Sequence, residues 1–251
     1  LKARLDKILA DSGLGTRSSV RDLIKSGKIK VNDVTQKDPG KKVDTDKDRI
    51  TCGGEDISYS EMVYYMLNKP AGVITATEDK NQKTVLDLIT DKKRRDLFPV
   101  GRLDKDTVGL LIITNDGALS HRLLAPGKHV AKKYLVRVDG VITEEISSAI
   151  CSGVDIGDDK PTAPAELENV RLVSTAKPDE AGIPEMDRDG VVYEAEITIT
   201  EGRYHQIKRM FEAFDLNVIY LKRLSMGNLT LDPKLEEGEW RYLTDEELKR
   251  L

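Results

Sequence analysis

The spacing of apolar residues changes at Met62, and the change divides the chain in two. Before it, Leu5, Ile8 and Leu9 recur at helical spacing, Gly13 and Gly15 interrupt, and Thr16 stands where a cap would open a second helix with Val20, Leu23 and Ile24 on its apolar face. Gly27 ends that helix, Lys28 to Val31 alternates as a strand does, Asn32 and Asp33 make a turn, and Arg49 to Cys52 offers another short strand. The polar run from Lys37 to Asp48, with Pro39 and Gly40, reads as loop. Two short helices and a small sheet therefore make a first domain of residues 1–58.

After Met62, short β-rich apolar segments alternate with turns and helices. Strands are predicted at Val63 to Leu67, Val73 to Thr75, Leu110 to Ile113, Tyr134 to Val138, Val191 to Ile199, Val218 to Leu221 and Leu229 to Leu231, with another ending near Leu172. Helices are predicted at Val85 to Ile89, Ala118 to Leu124, Glu144 to Cys151 and Tyr204 to Phe214. Several strands follow one another with no helix between, so the expected class is α+β, with a mixed, largely antiparallel sheet flanked by helices, over residues 59–251. The connection near Ser58 to Glu61 is expected to let the two domains reorient.

Composition narrows the class. The 251 residues are 39% hydrophobic and 33% charged, the balance of a soluble globular protein, and no apolar run approaches the roughly 20 residues a membrane helix needs. The amphipathic start does not have the layout of a signal peptide, and Cys52 and Cys151 are far apart, so a reducing cytoplasmic location is expected. With His121, His129 and His205 the two cysteines form no metal-ligand spacing, and no metal is expected. The net charge of −4 argues at first against nucleic acid, but its distribution is uneven. Residues 1–30 carry eight basic side chains, Lys2, Arg4, Lys7, Arg17, Arg21, Lys25, Lys28 and Lys30, against three aspartates. Such a module either binds phosphates, releasing their counterions, or is an ordinary solvated helix face; charge alone does not choose. Residues 178–190 hold five carboxylates against Arg188, which reads as a solvated surface loop.

Four places could carry chemistry. In GRLDKDTVGLLIITNDG, Gly101 to Gly117, Asp104 and Asp106 lie on a loop feeding an interior strand, where a rigid scaffold could present them. A lone loop aspartate is more often a turn former, and a single catalytic carboxylate also needs a cation to hold it ionised in a dry pocket. In EGRYHQIKRMFEAF, Ile207, Met210, Phe211 and Phe214 form the buried face of one helix, with Lys208 at its border, able to lay its stem on the core and bring its ammonium into a pocket. Arg203 and Arg209 read as phosphate contacts or plain solubility, and His205 as a hydrogen-bonded structural residue. Lys132, Lys133 and Tyr134 open a strand that turns Tyr134 inward, as core or as a ring to stack on a base. No phosphate-binding loop, dinucleotide glycine pattern or nucleophilic triad appears, so no cofactor is expected.

LNKPAGVITA (Leu67 to Ala76), the Asp104 motif, KKYLVRVDG (Lys132 to Gly140) and EGRYHQIKRMF (Glu201 to Phe211) follow in order behind RLDKILADSGLGTRSSVRDLIKSGKIKVN. Together, over nearly the whole chain, they resemble the bacterial ribosomal small-subunit pseudouridine synthases, with an S4-like RNA-binding module in front. SHRLLAP (Ser120 to Pro126) paired with YHQIKRMF favours the small-subunit enzymes over their large-subunit relatives. The resemblance implies isomerisation of one uridine of 16S rRNA, uridine 516, without cofactor or metal, by a protein expected to be monomeric. It implies that Asp104 attacks the nucleotide, that Lys208 pairs with Asp104, that Tyr134 packs on the target base and that Arg102 helps hold the flipped nucleotide open. Arg203, Arg209 and Lys132, with the S4-like module, would contact phosphates. Asp106 is left as a turn residue. The stretch from Lys177 to Gly190 is longer than this family pattern leads one to expect, and is predicted as a hairpin tip pointing away from RNA. The alternatives are a large-subunit rRNA synthase of the same family and a non-catalytic S4-type assembly factor.

Overall fold

A computed structural model describes residues 2–45, 47–57, 62–91, 96–173 and 191–251; the expected linker 58–61 and the acidic stretch 177–190 lie outside the described residues. The chain divides into two compact units, one of residues 1–63 with 89–98, the other of 64–88 with 99–251. No helix among the described residues is long and apolar enough to cross a membrane.

The first unit runs β1 (Lys2–Arg4), α1 (Leu5–Asp11), α2 (Arg17–Lys25), β2 (Ile29–Val31), β3 (Val34–Thr35), β4 (Lys42–Asp44), β5 (Ile50–Cys52) and β6 (Glu55–Asp56). Thr16 caps α2 as the spacing predicts, its hydroxyl accepting from the Ser19 N–H at 3.2 Å. Leu5, Ile8, Leu9, Val20 and Ile24 from the helices close on Ile29, Val31, Val43 and Ile50 from the strands. Val43 corrects the reading of 37–48 as loop: it is fully buried, and its strand pairs antiparallel with β1. One apolar residue between charged neighbours leaves no periodicity to read.

Asp6 ties the helices together. It is 2% exposed and accepts from Arg4 Nε at 3.0 Å and Arg21 Nε at 3.2 Å. The Arg4 hydrogen bond, with Arg21 adding to it against the penalty of burial, lowers its pKa to about 2.

The second unit runs β7 (Tyr64–Lys69), β8 (Phe98–Val100), β9 (Val108–Thr114), α3 (Gly117–Leu124), β10 (Lys132–Asp139), α4 (Glu144–Ser152), β11 (Glu166–Val173), β12 (Val192–Ile199), α5 (Gln206–Glu212), β13 (Asn217–Met226), β14 (Leu229–Thr230), β15 (Trp240–Tyr242) and α6 (Asp245–Arg250). Its described strands form one sheet in the order β11-β12-β10-β13-β9-β7-β15, with β14 on β13 and β8 on β9. Neighbours along that order are antiparallel except β13 and β9, which run parallel, so the sheet is mixed as expected. All seven residues of β9 are buried, which explains its unbroken apolar run. In β10, Tyr134, Val136 and Val138 are buried on one face, while Lys133 and Arg137 on the other reach Glu196 and Glu194 of β12, each at 2.7 Å.

Some predicted elements take other forms. Val73 to Thr75 is not a strand; Ile74 makes an isolated bridge to Thr84, and the segment serves the loop described below. Val85 to Leu88 is a single 3-10 turn. The C-terminal β15 and α6 were not anticipated; Trp240 packs edge-on against buried Tyr65, ring centres 5.2 Å apart, and Thr244 with Glu247 closes a capping box on α6.

Gly109 permits the parallel pairing of β9 and β13. It has φ +101°, and a Cβ there would meet the Arg223 backbone, with Arg223 N at 2.7 Å. Gly109→Ala is expected to destabilise the protein by roughly 2–4 kcal/mol, from backbone strain plus overpacking, read as a lowered urea midpoint; an unchanged midpoint would contradict this. For Asp6 the folded pKa lies below the unfolded one, so its stabilisation is complete above the ordinary carboxylate range and is lost as pH falls towards about 2. The stability difference between wild type and Asp6→Asn should therefore shrink across that window. A difference constant from neutral pH to about 2 would refute the linkage.

Candidate active site

The loop from Gly101 to Thr107 is built by the segment 69–75. Lys69 has no exposed surface, and its ammonium donates to the carbonyls of Thr107 at 2.8 Å, Pro70 at 3.0 Å and Lys105 at 3.3 Å. Burial is the main cause that lowers the Lys69 pKa to about 8, opposed by the nearby charges of Asp106 and Asp104. Thr75 accepts from the Leu103 N–H at 3.1 Å and donates back to the Leu103 carbonyl at 2.7 Å, gripping the residue before Asp104 on both sides. Gly72 N–H donates to the Lys105 carbonyl at 2.8 Å, and Thr107 N–H to the Asp104 carbonyl at 3.2 Å.

This loop, the start of β10, the turn before α5 and β13 surround a pocket of about 370 Å³. Its walls include Arg102, Asp104, Lys132, Tyr134, His205, Lys208 and Arg223. Three residues singled out in the sequence thus converge: Asp104 on the loop, Tyr134 on β10 at 7% exposure and Lys208 on α5. Arg102 is exposed at the same pocket, and the Lys132 ammonium donates to the Val130 carbonyl at 2.8 Å.

Lys208 lies beside Asp104, as the resemblance implies, and binds Asp106 more closely. Its ammonium lies 3.4 Å from Asp104 Oδ2 but 2.6 and 2.8 Å from the two oxygens of Asp106. Asp106 is therefore more than a turn residue, and one ammonium serves both carboxylates. Burial acts to raise the Asp106 pKa, but the Lys208 hydrogen bond and charge outweigh it and hold the group below its ordinary value. His205 also stands beside Asp104, its Nε2 3.4 Å from Asp104 Oδ1.

Arg203 and Arg209 have partners within the chain. Arg203 donates to the carbonyls of Lys160 at 2.6 Å and Pro161 at 2.8 Å, and to Glu201 at 3.2 Å. Arg209 binds Asp158 at 2.6 Å, the Ile156 carbonyl and the Tyr204 carbonyl at 3.2 Å. Both guanidinium groups brace residues 156–161 against the turn before α5, because carboxylates and carbonyls of the chain itself occupy their donors. Gln206, 4% exposed, completes that turn by donating to Glu201 at 2.8 Å and accepting from the Arg203 N–H at 3.0 Å. In the first unit Lys7, Arg17, Lys25 and Lys28 are exposed, whereas Arg4 and Arg21 are partly engaged by Asp6.

Sequence reasoning missed Lys69, Gln206 and Arg223. Arg223 is 2% exposed, its Nε donates to the Leu110 carbonyl at 2.7 Å and its Nη2 has no hydrogen-bond partner among the described residues. A charged residue in the middle of a strand was the only available signal.

The profile of the family described as RNA pseudouridylate synthase matches residues 63–213, and that of the S4 domain matches residues 3–50. An uncharacterised RNA pseudouridine synthase of Bacillus subtilis is 46% identical over 99% of this chain and 98% of its own. The ribosomal small subunit pseudouridine synthase A of Vibrio cholerae is 38% identical over 98% of this chain and 97% of its own. The ribosomal large subunit pseudouridine synthase B of Bacillus subtilis is also 38% identical, over 99% and 95%. A crystal structure of a pseudouridylate synthase superposes with a TM-score of 0.64 at 35% identity, covering 98% of both chains. The chain belongs to the RNA pseudouridylate synthase family, in the branch that carries an N-terminal S4 domain. It is a pseudouridine synthase, an isomerase acting on RNA.

In Lys208→Met the Asp106 carboxyl is expected to titrate at higher pH than in the wild type, since its bound cation is gone. A carbon-detected NMR titration reads this directly, and an unmoved Asp106 would show that Lys208 does not set its charge.

Proposed function

We propose that the enzyme converts one uridine of 16S rRNA to pseudouridine, with Asp104 as the attacking carboxylate. The observation that carries this is the placement of Asp104 on a pocket wall at 30% side-chain exposure, with Lys208 and His205 each 3.4 Å away and Tyr134 on the same wall. The reaction breaks the C1′–N1 bond, forms C1′–C5, and moves the C5 hydrogen so that N1 ends protonated; atoms and electrons balance without a co-reactant. Asp104 adds to the ribose or to the base, holding the nucleotide while the uracil turns. Lys208 places positive charge beside it, and the Tyr134 ring packs on the base.

A uridine within structured RNA must leave its stack, which costs a few kcal/mol. Arg102, exposed at the pocket, helps hold the displaced nucleotide. Residues 1–58 anchor the RNA through exposed Lys7, Arg17, Lys25 and Lys28, with Arg4 and Arg21 beside them. Such phosphate contacts fix position while carrying little sequence information. Residues 59–251 perform catalysis. Ribosomal RNA as substrate implies a cytoplasmic site of action.

The pairing of SHRLLAP with YHQIKRMF supports the small-subunit target. Identity to the named small-subunit and large-subunit relatives is equal at 38%, so the choice rests on that pairing. Two measurements test the proposal. Asp104→Asn should lose essentially all pseudouridine formation while keeping RNA affinity; persistent modification would remove Asp104 from the catalytic role. Mapping pseudouridine in both rRNAs of a deletion strain should reveal one missing site in 16S rRNA, and a loss confined to 23S rRNA would reassign the enzyme to the large subunit.

A further inference from the structure

Tyr204 is 76% exposed, more than any other large apolar or aromatic side chain among the described residues. Its ring is not loose on the surface. One face stacks on His205, ring centres 3.9 Å apart and planes 16° from parallel, and His205 in turn touches Asp104 at 3.4 Å. The backbone beneath is pinned by the Arg209 guanidinium on the Tyr204 carbonyl at 3.2 Å and by the Gln206 N–H on the Arg203 carbonyl at 3.2 Å. His205 itself holds a left-handed conformation, φ 49° and ψ 33°, which is rare and strained for a residue with a side chain. The fold thus keeps a strained turn that offers a flat aromatic face to solvent, one ring beyond the residue that contacts Asp104.

We propose that the open face of Tyr204 is a stacking platform for a nucleobase next to the target uridine. This rests on the reading of the Asp104 pocket as the uridine site. When the target base swings into that pocket, its neighbour in the RNA loses a stacking partner. A ring that continues outward from His205 replaces it, in the manner by which proteins hold splayed single-stranded RNA. Stacking tolerates any base because every base has a π-face, so Tyr204 contributes affinity and register. It is a binding residue, and the chemistry stays with the pocket.

The test uses the full-length protein and an oligoribonucleotide containing the uridine that the wild type converts, from whichever ribosomal RNA it comes. 2-Aminopurine is placed at one neighbour of that uridine, then at the other. Binding to wild type should quench its fluorescence at one of the two positions. Tyr204→Ala should abolish that quenching and raise KM about tenfold or more, with a smaller effect on kcat, whereas Tyr204→Trp should retain both properties. If quenching at both positions is the same in wild type and Tyr204→Ala, the platform is overturned. A raised KM with quenching intact would assign Tyr204 only to supporting His205 and equally overturn it. Because the oligonucleotide is chosen by wild-type conversion, a wrong target subunit would emerge in the mapping experiment and leave this result readable.

Discussion

The site takes its shape from the Lys69 ammonium, which is buried against the carbonyls of Pro70, Lys105 and Thr107. An ammonium has three protons to donate, and here three acceptors of the backbone take them. Without those dipoles a cation out of water would be costly, and the fall of the Lys69 pKa to about 8 is the residue of that cost. Two of the three carbonyls flank Asp106, so the same contacts that make the buried charge tolerable also fix the path of the chain past both aspartates. Thr75 fixes the other end of that path at Leu103. A flexible loop is thereby given the rigidity of the strands on either side, which a carboxylate that must meet a nucleotide at bonding distance requires.

Charge around the pocket follows from this frame. The chain is acidic overall, at −4, yet Arg102, Lys132, Lys208 and Arg223 gather at one cavity. Lys132 is held below its ordinary pKa first by burial and then by the charge of Arg223. Arg223 itself is buried, with one nitrogen unpartnered among the described residues. Arg203 also lines the cavity, but its donors, like those of Arg209 outside it, are taken up by Asp158, Glu201 and loop carbonyls. Net charge could not distinguish the two kinds of arginine.

Much of the fold was legible because several elements are governed by local burial. The two-sided burial of β9, the alternation in β10 and the apolar face of Ile207, Met210 and Phe211 each leave a periodic mark. Val43 leaves none, because one buried residue between lysine and aspartate has no period. Val73 to Thr75 is apolar enough for a strand, but its backbone and hydroxyl are used to hold the Asp104 loop, a demand that periodicity does not register. At the site, Asp104, Tyr134 and Lys208 entered through motif resemblance, and their residue types alone would have left each with an ordinary structural role.

The class of fold, the basic character of the first unit, the inward side of Tyr134 and the border position of Lys208 all follow from the order and spacing of residues along the chain. Which carboxylate Lys208 binds most closely was decided only by tertiary structure. Asp106 is 102 residues away in sequence and 2.6 Å away in space, while Asp104 is held at 3.4 Å. Electrostatic pairing falls with distance through space and is indifferent to order along the chain. The backbone path set by Lys69 and Thr75 places both carboxylates before one ammonium, and no local pattern of apolar and polar residues encodes that meeting.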